Sequence, residues 1–300
     1  MLKIAFHSCY EHPLKKGHRF PMEKYDLLPK QLLHEGTCTK ENFFEPGVVS
    51  KTDLLRVHTK EYIQNLTDLN LPKTEARAIG FPLSAALVER EFVITQGTID
   101  AAKFALQHGI AMNIAGGTHH AFSNRGEAFC LLNDQAVAAA YLLHYQLAKK
   151  ILIVDLDVHQ GNGTAEIFQN QANVFTFSMH GEKNYPFRKE TSDLDMALPN
   201  GTNDDTYLKL LKEKLPELYA KVQPNFVFYL CGVDILVTDK LGKLSCTLQG
   251  CKERDRFVLE FFNTKKAPVM CSMGGGYSPD IKTIIEAHAN TFRIASTLVE

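Results

Sequence analysis

Ile151-Leu152-Ile153-Val154-Asp155-Leu156-Asp157-Val158-His159-Gln160-Gly161-Asn162-Gly163 opens on four apolar residues and closes on a polar, glycine-rich run. A short continuous apolar run suits a strand buried on both faces, as in a parallel sheet. The same layout recurs at Ile4–Phe6, Ala111–Ala115, Val174–Phe177, Phe226–Leu230 and Pro268–Met273. Between the runs, apolar residues take helical spacing over Leu83–Leu106, Asn133–Leu147, Asp204–Val222, Gln249–Phe262 and Asp280–Leu298. Strands alternating with helices predict an α/β fold: a three-layer sandwich whose mostly parallel central sheet is flanked by helices. No repeat, linker or charge block interrupts the pattern, so residues 1–300 read as one domain.

Composition narrows the class of function. Apolar residues make up 45% and charged residues 22%, enough for a large core. Lys and Arg total 33 against 34 Asp and Glu, which argues against a basic nucleic-acid-binding surface. No apolar run approaches the ~20 residues of a bilayer span. Residues 1–10 put only Ile4, Ala5 and Phe6 together, too few for a signal-peptide core. Seven cysteines without framework spacing fit reduced thiols. A cytoplasmic protein is the expectation.

In parallel α/β sheets, functional residues collect beyond the carboxyl ends of the strands. Gly116-Gly117-Thr118-His119-His120 follows one run, and the Asp155–Gly163 segment another. Ser178-Met179-His180, Cys231-Gly232-Val233-Asp234 and Gly274-Gly275-Gly276-Tyr277 follow three more. Read as extended chain, Asp155-x-Asp157-x-His159 points three metal-competent side chains one way. Asp157 and His159, with Asp234 from another strand end, make a set that balances a divalent ion and leaves a position open. Capping a helix over Thr164–Asn170 would need only one of these acceptors. Asp155 and Asn162 remain to partner the tandem histidines, and a carboxylate raises an imidazole's basicity where an amide does not. Tyr277 can donate to an oxyanion. Phe129 suits a narrow apolar channel or core packing equally, His180 is a weaker ligand candidate, and Cys130 and Cys231 read as buried hydrophobes.

In this order, these segments resemble the histone deacetylase superfamily of metal-dependent amidohydrolases. The match runs from Glu11-His12-Pro13 and Gly17–Tyr25 through Gly116–Asp134, Ile151–Ala165, Tyr229–Asp234, Asp239–Gly242 and Arg254-Asp255 to Gly274–Tyr277. Gly17-His18-Arg19-Phe20-Pro21-Met22-Glu23-Lys24-Tyr25 and Asn162 look like class IV deacetylases and their bacterial relatives. The resemblance implies an arginase-deacetylase fold and removal of acyl groups from lysine side chains. It implies Zn²⁺ on Asp157, His159 and Asp234, although so oxygen-rich a set also suits Fe²⁺. It further implies catalytic roles for His119, His120, Tyr277, Asp155 and Asn162, and a K⁺ ion near Asp155, Asp157, His159, Ser178 and Met179. Phe129, Gly275 and Tyr185 would line the substrate channel.

Two departures from the class I pattern stand out. Asn162 replaces the acid behind the second histidine, and Ile79–Leu87, where an acid usually meets the substrate backbone, has no Asp or Glu. Class IV relatives often prefer long acyl chains, so acetyl is not assumed. The two-manganese pattern of arginases would need carboxylates where Gly161 and Leu236 stand. The expected activity is therefore deacylation of N-ε-acyl-lysine in proteins or peptides. His120 would be the base and His119, paired with Asp155, its electrostatic support. The alternatives are a deacetylase of small acyl amines such as acetylpolyamines and an inert acyl-lysine-binding module. The sequence leaves the target and the oligomeric state open.

Overall fold

The computed structural model describes residues 1–299. In chain order the elements are β1 (Lys3–Ala5), α1 (Lys24–His34), β2 (Phe43–Phe44), α2 (Lys51–Leu54), α3 (Lys60–Thr67) and α4 (Lys73–Ile79). Next come α5 (Ala85–His108), β3 (Ile110–Asn113), α6 (Asp134–His144), β4 (Ile151–Asp155), α7 (Asn162–Phe168) and β5 (Val174–Gly181). The remainder is β6 (Leu194–Leu198), α8 (Asp204–Val222), β7 (Phe226–Leu230), α9 (Leu248–Thr264), β8 (Val269–Ser272) and α10 (Ile281–Leu298).

The eight strands form one sheet in the order β2-β1-β3-β8-β7-β4-β5-β6. Every pair is parallel. Parallel pairing forces a crossover between neighbours, and the crossovers put helices over the sheet. Helix α5 packs on β1, β3, β8 and α6, while a second row runs through α1, α10, α9 and α8 in mutual contact. The central strands β3, β8, β7 and β4 are buried at every residue, which is why they read as unbroken apolar runs. Helices α5, α6, α8, α9 and α10 start on side-chain caps: Ser84, Asn133, Asn203, Thr247 and Asp280 each accept a backbone N–H of the first turn.

The structure departs from the sequence reading in particular places. Ser178, Met179 and His180 do not follow β5 but lie in it, because pairing with β6 carries the strand on to Gly181. The helix expected over Thr164–Asn170 runs from Asn162 to Phe168, so Asn162 belongs to its first turn. Strands β2 and β6 and helices α1 to α4 had no counterpart in the apolar pattern. Strand β2 is two residues long, and α1 carries Pro29. Four of the five β6 residues remain partly or fully exposed, which suits an edge rather than a buried strand.

Candidate active site at the carboxyl edge of the sheet

Asp155 is the last residue of β4, and the chain then coils instead of extending. The amide of Asp157 donates to Asp155 Oδ1 (3.2 Å), and that of His159 donates to Asp157 Oδ1 (3.0 Å). A carboxylate that accepts the N–H two residues on makes a local turn. The three side chains therefore do not face one way as an extended chain would have them. Asp155 faces His119, whereas Asp157 and His159 face Asp234.

Asp157, His159 and Asp234 are buried, and one ligand atom from each lies within 4.8 Å of the others. His159 Nδ1 is 3.0 Å from Asp157 Oδ1 and 3.1 Å from Asp234 Oδ2. Asp234 hangs from the loop after β7, and its Oδ1 accepts the amide of Val158 (2.9 Å). Burial, and then the neighbouring Asp157, push the Asp234 carboxyl up to about 7. Burial opposes a proton on His159, but hydrogen bonds to both carboxylates outweigh it and lift the ring to about 10. Two buried carboxylates converging on one imidazole call for positive charge between them. That donor set fits a divalent ion with a vacant position.

The tandem histidines come from the turn after β3, where Gly116 and Gly117 adopt φ of 79° and 75°. Asp134, at the start of α6, secures that turn by accepting from the amides of Gly117 (2.9 Å) and Thr118 (3.0 Å). A Cβ on Gly116 would stand 2.3 Å from Asp134 Oδ2, so the contact excludes any side chain there. His119 Nδ1 lies 2.7 Å from Asp155 Oδ2, and His120 Nδ1 lies 2.6 Å from Asn162 Oδ1. The rings are 4.2 Å apart at their centroids. Burial disfavours charge on both, but Asp155 and then Asp157 reverse it at His119, whose pKa is raised. His120 has no such anion behind it, and burial followed by the charges of His119 and His159 hold it well below the usual value.

Tyr277 follows β8 across the three glycines. Its amide donates to Asp239 Oδ2 (2.6 Å), and its ring stands 6.4 Å from that of His159. Burial, then the negative charges of Asp157 and Asp234, push its phenol well above the ordinary value, so it holds its proton. The amide of Gly275 donates to Asp157 Oδ2 (2.8 Å), and a Cβ there would meet Asp234 Oδ2 at 2.1 Å. A cavity of about 360 Å³ leads to these groups. Phe20, Phe81, Phe129 and Tyr185 line it, with Gly275 and Tyr277 beside the Asp157–His159–Asp234 cluster. The Tyr185 ring stands edge-on to His120 at 5.0 Å.

The remaining sequence candidates sit apart from this chemistry. His180 is buried with Nδ1 3.0 Å from Ser178 Oγ, burial lowers it to about 4, and it is not in the three-ligand cluster. Ser178 is the register partner of Asp155, and buried Met179 follows it. Burial pushes the thiols of Cys130 and Cys231 up, as for inert buried sulfur. Sequence reasoning gave no role to Glu127, Asp239 or Lys24. Asn162 Nδ2 donates to Glu127 Oε1 (2.7 Å), and buried Lys24 donates to Gly274 O (3.0 Å), its pKa lowered by burial to about 8. No local spacing marks Glu127, or Asp239 as the acceptor of the Tyr277 amide, because each of these contacts spans more than 30 positions.

Comparison with known proteins places the chain among relatives. Residues 18–292 match the histone deacetylase domain family. An uncharacterised protein of Picosynechococcus sp. is 44% identical over 97% of each chain. Histone deacetylase 2 of Arabidopsis thaliana is 32% identical over 95% of this chain and 76% of its own. A crystal structure of a histone deacetylase homologue complexed with SAHA is 26% identical, with a TM-score of 0.85 over 99% of this chain and 84% of its own. The homologue from Aquifex aeolicus, also 26% identical, gives 0.83 over 97% and 82%. With the domain family matched over most of its length and the all-parallel sheet shared, this chain belongs to the histone deacetylase family.

Proposed function

We propose that this protein is a metal-dependent hydrolase that removes acyl groups from the ε-amine of lysine in proteins or peptides. The carrying observation is the aromatic cavity that ends on Asp157, His159, His120 and Tyr277 together. Such a cavity takes an uncharged acylated side chain and brings its amide to a base, an acid and a cation site. Asp157, His159 and Asp234 would hold Zn²⁺ or Fe²⁺, which when bound polarises the amide carbonyl and activates water. K⁺ near Asp155, Asp157, His159, Ser178 and Met179 belongs to the same reading, as does class IV kinship.

His120, neutral and with its Nδ1 occupied by Asn162, offers Nε2 to take a proton from the attacking water. The oxygen adds to the carbonyl carbon. Tyr277 donates its proton as a hydrogen bond to the oxygen that becomes negative. The C–N bond then breaks, and His120 returns its proton to the departing lysine amine. His119, kept basic by Asp155, adds positive charge beside the developing anion.

The cavity walls favour peptides over polyamines. Exposed Arg19, Lys183 and Lys243 stand at the cavity, with the Arg19 guanidinium 4.9 Å above the Phe129 ring. Among the described residues, the only carboxylate lining it belongs to Asp157. A polycationic substrate would meet like charge there, whereas acidic residues flanking an acyl-lysine would be welcomed. The test is an acyl-length series on one lysine peptide beside acetylated polyamines, repeated after chelation and after metal return. Metal-reversible turnover of peptides is expected. Faster turnover of polyamines, or undiminished turnover after chelation, overturns the proposal.

A further inference from the structure

His120 rests on an amide, and an amide can present either of two ends. With Asn162 Oδ1 toward the ring, Nδ1 must carry the hydrogen and Nε2 keeps its lone pair. With the amide turned over, Nδ2 would face Nδ1, the hydrogen would sit on Nε2, and the ring could not act as base. Something must select between these states. Glu127 Oε1 lies 2.7 Å from Asn162 Nδ2, and a carboxylate only accepts. The NH₂ end is thereby tied to Glu127, and Oδ1 is left for His120 at 2.6 Å.

We propose that Glu127 is a positioning residue for His120, acting through Asn162 to fix the tautomer that serves as general base. The inference rests on the deacylase reading for its role and on this chain of contacts for its geometry. The carboxylate is itself held in place. The amide of Cys130 donates to Glu127 O (2.9 Å), closing a tight turn whose central residues Ala128 and Phe129 have φ of 48° and 68°. The amides of those two residues donate to Ala78 O (2.8 Å) and Ile79 O (2.7 Å) at the end of α4. One turn thus points Phe129 into the substrate cavity and Glu127 at Asn162. Arg125 Nε lies 3.9 Å from the other carboxylate oxygen, Oε2, which leaves Oε1 to Asn162. Glu127 also sits beside the Tyr185 phenol, which burial and then Glu127 push up. The arrangement orients the base through a carboxyl group while keeping that group one residue away from the ring.

Four variants test this by kcat, KM, metal content and melting temperature. Glu127→Ala should lower kcat by about 10–100-fold with KM within about twofold and metal retained, the range expected for a mispositioned catalytic group. Glu127→Gln still accepts from Asn162 and should lose no more than about threefold. Asn162→Asp sets two carboxylates against each other and should be slow. Adding Glu127→Gln to Asn162→Asp restores a donor–acceptor pair and should recover at least about tenfold. A structural role alone would not produce that recovery. The ¹⁵N shifts of the His120 ring, read without substrate or metal, should show Nδ1–H in the unaltered protein and a mixed tautomer in Glu127→Ala. This second readout stands even if no acyl-lysine peptide is turned over. An unchanged tautomer in Glu127→Ala, or an Asn162→Asp defect indifferent to the residue at 127, overturns the proposal.

Discussion

The guanidinium of Arg254 donates to the carbonyl oxygen of Gly232 at 2.6 Å, two residues before Asp234. From the same buried position on α9 it reaches Leu156 O and Cys231 O, each at 3.2 Å, and pairs with Asp255. Leu156 adjoins Asp157, so one buried cation ties the loops that carry both carboxylates of the candidate metal cluster. Asp255 is in turn held by the Tyr229 hydroxyl (2.5 Å) and the Thr291 hydroxyl (2.6 Å). Arg254→Met would strand the Asp255 charge and three carbonyls. Breaking such a pair costs about 3–5 kcal/mol. Urea unfolding should show a loss of that order, and a loss under about 1 kcal/mol would contradict this account.

Asp157→Ala and Asp234→Ala should each remove metal and activity together. An open three-ligand set cannot spare a member. Metal analysis of the purified variants beside peptide deacylation checks this. Full metal occupancy with normal turnover in either variant would dismiss the ligand assignment.

Tyr277→Phe should leave metal content and inhibitor affinity nearly intact while lowering kcat. The phenol keeps its proton through burial and the adjacent carboxylates, and its hydrogen bond matters once charge develops on the oxygen. Loss of one oxyanion donor typically costs about 10²–10³ in rate. Turnover within about threefold of the parent would remove Tyr277 from the reaction.

His58 sets a pH dependence of stability. Its Nδ1–H donates to Phe122 O (3.0 Å) and its Nε2 accepts the amide of Asn133 (3.1 Å), so the neutral ring is built into the fold. Burial lowers its pKa from 6.5 to about 4. Between those values the unfolded chain binds the proton and the folded chain does not, so stability falls as pH drops from 6.5 toward 4. The full loss is roughly 3 kcal/mol at about 1.4 kcal/mol per unit. Unfolding curves across that range should be flatter for His58→Gln, and equal slopes would show that His58 does not titrate this way.

Ala128→Gly should raise stability by up to about 1 kcal/mol, because Ala128 sits at φ 48°, where a Cβ is strained. Thermal or urea unfolding reads this directly. A marked loss would mean that the methyl group makes a contact outweighing the strain.

What the sequence made legible follows burial. Ile151–Val154 and Phe226–Leu230 read as strands because both their faces are covered. Leu194–Leu198 and Phe43–Phe44 lie at the sheet edges, lack that covering and carry no such signal. That Asp157, His159, Asp234, His119, His120 and Tyr277 would gather at one sheet edge was legible from their places after the apolar runs. Asp134 and Glu127 were not legible, nor was the bond from the Tyr277 amide to Asp239, because these partners are distant in sequence and only the fold brings them near. The turn at Asp155–His159 was misread as extended because its geometry comes from side chains accepting backbone N–H groups, which alternation ignores.

Strand β8 is the last strand in sequence, yet it lies between β3 and β7. Until Val269–Ser272 is synthesised and inserted, β2-β1-β3 and β7-β4-β5-β6 share no ladder hydrogen bonds. The His119-His120 turn belongs to the first group, while Asp157, His159 and Asp234 follow strands of the second. A nascent chain lacking β8 would therefore hold the candidate base and the candidate metal ligands on two unjoined half-sheets. The two halves of the candidate site should come together only once Val269–Ser272 has been made and inserted, as one late event.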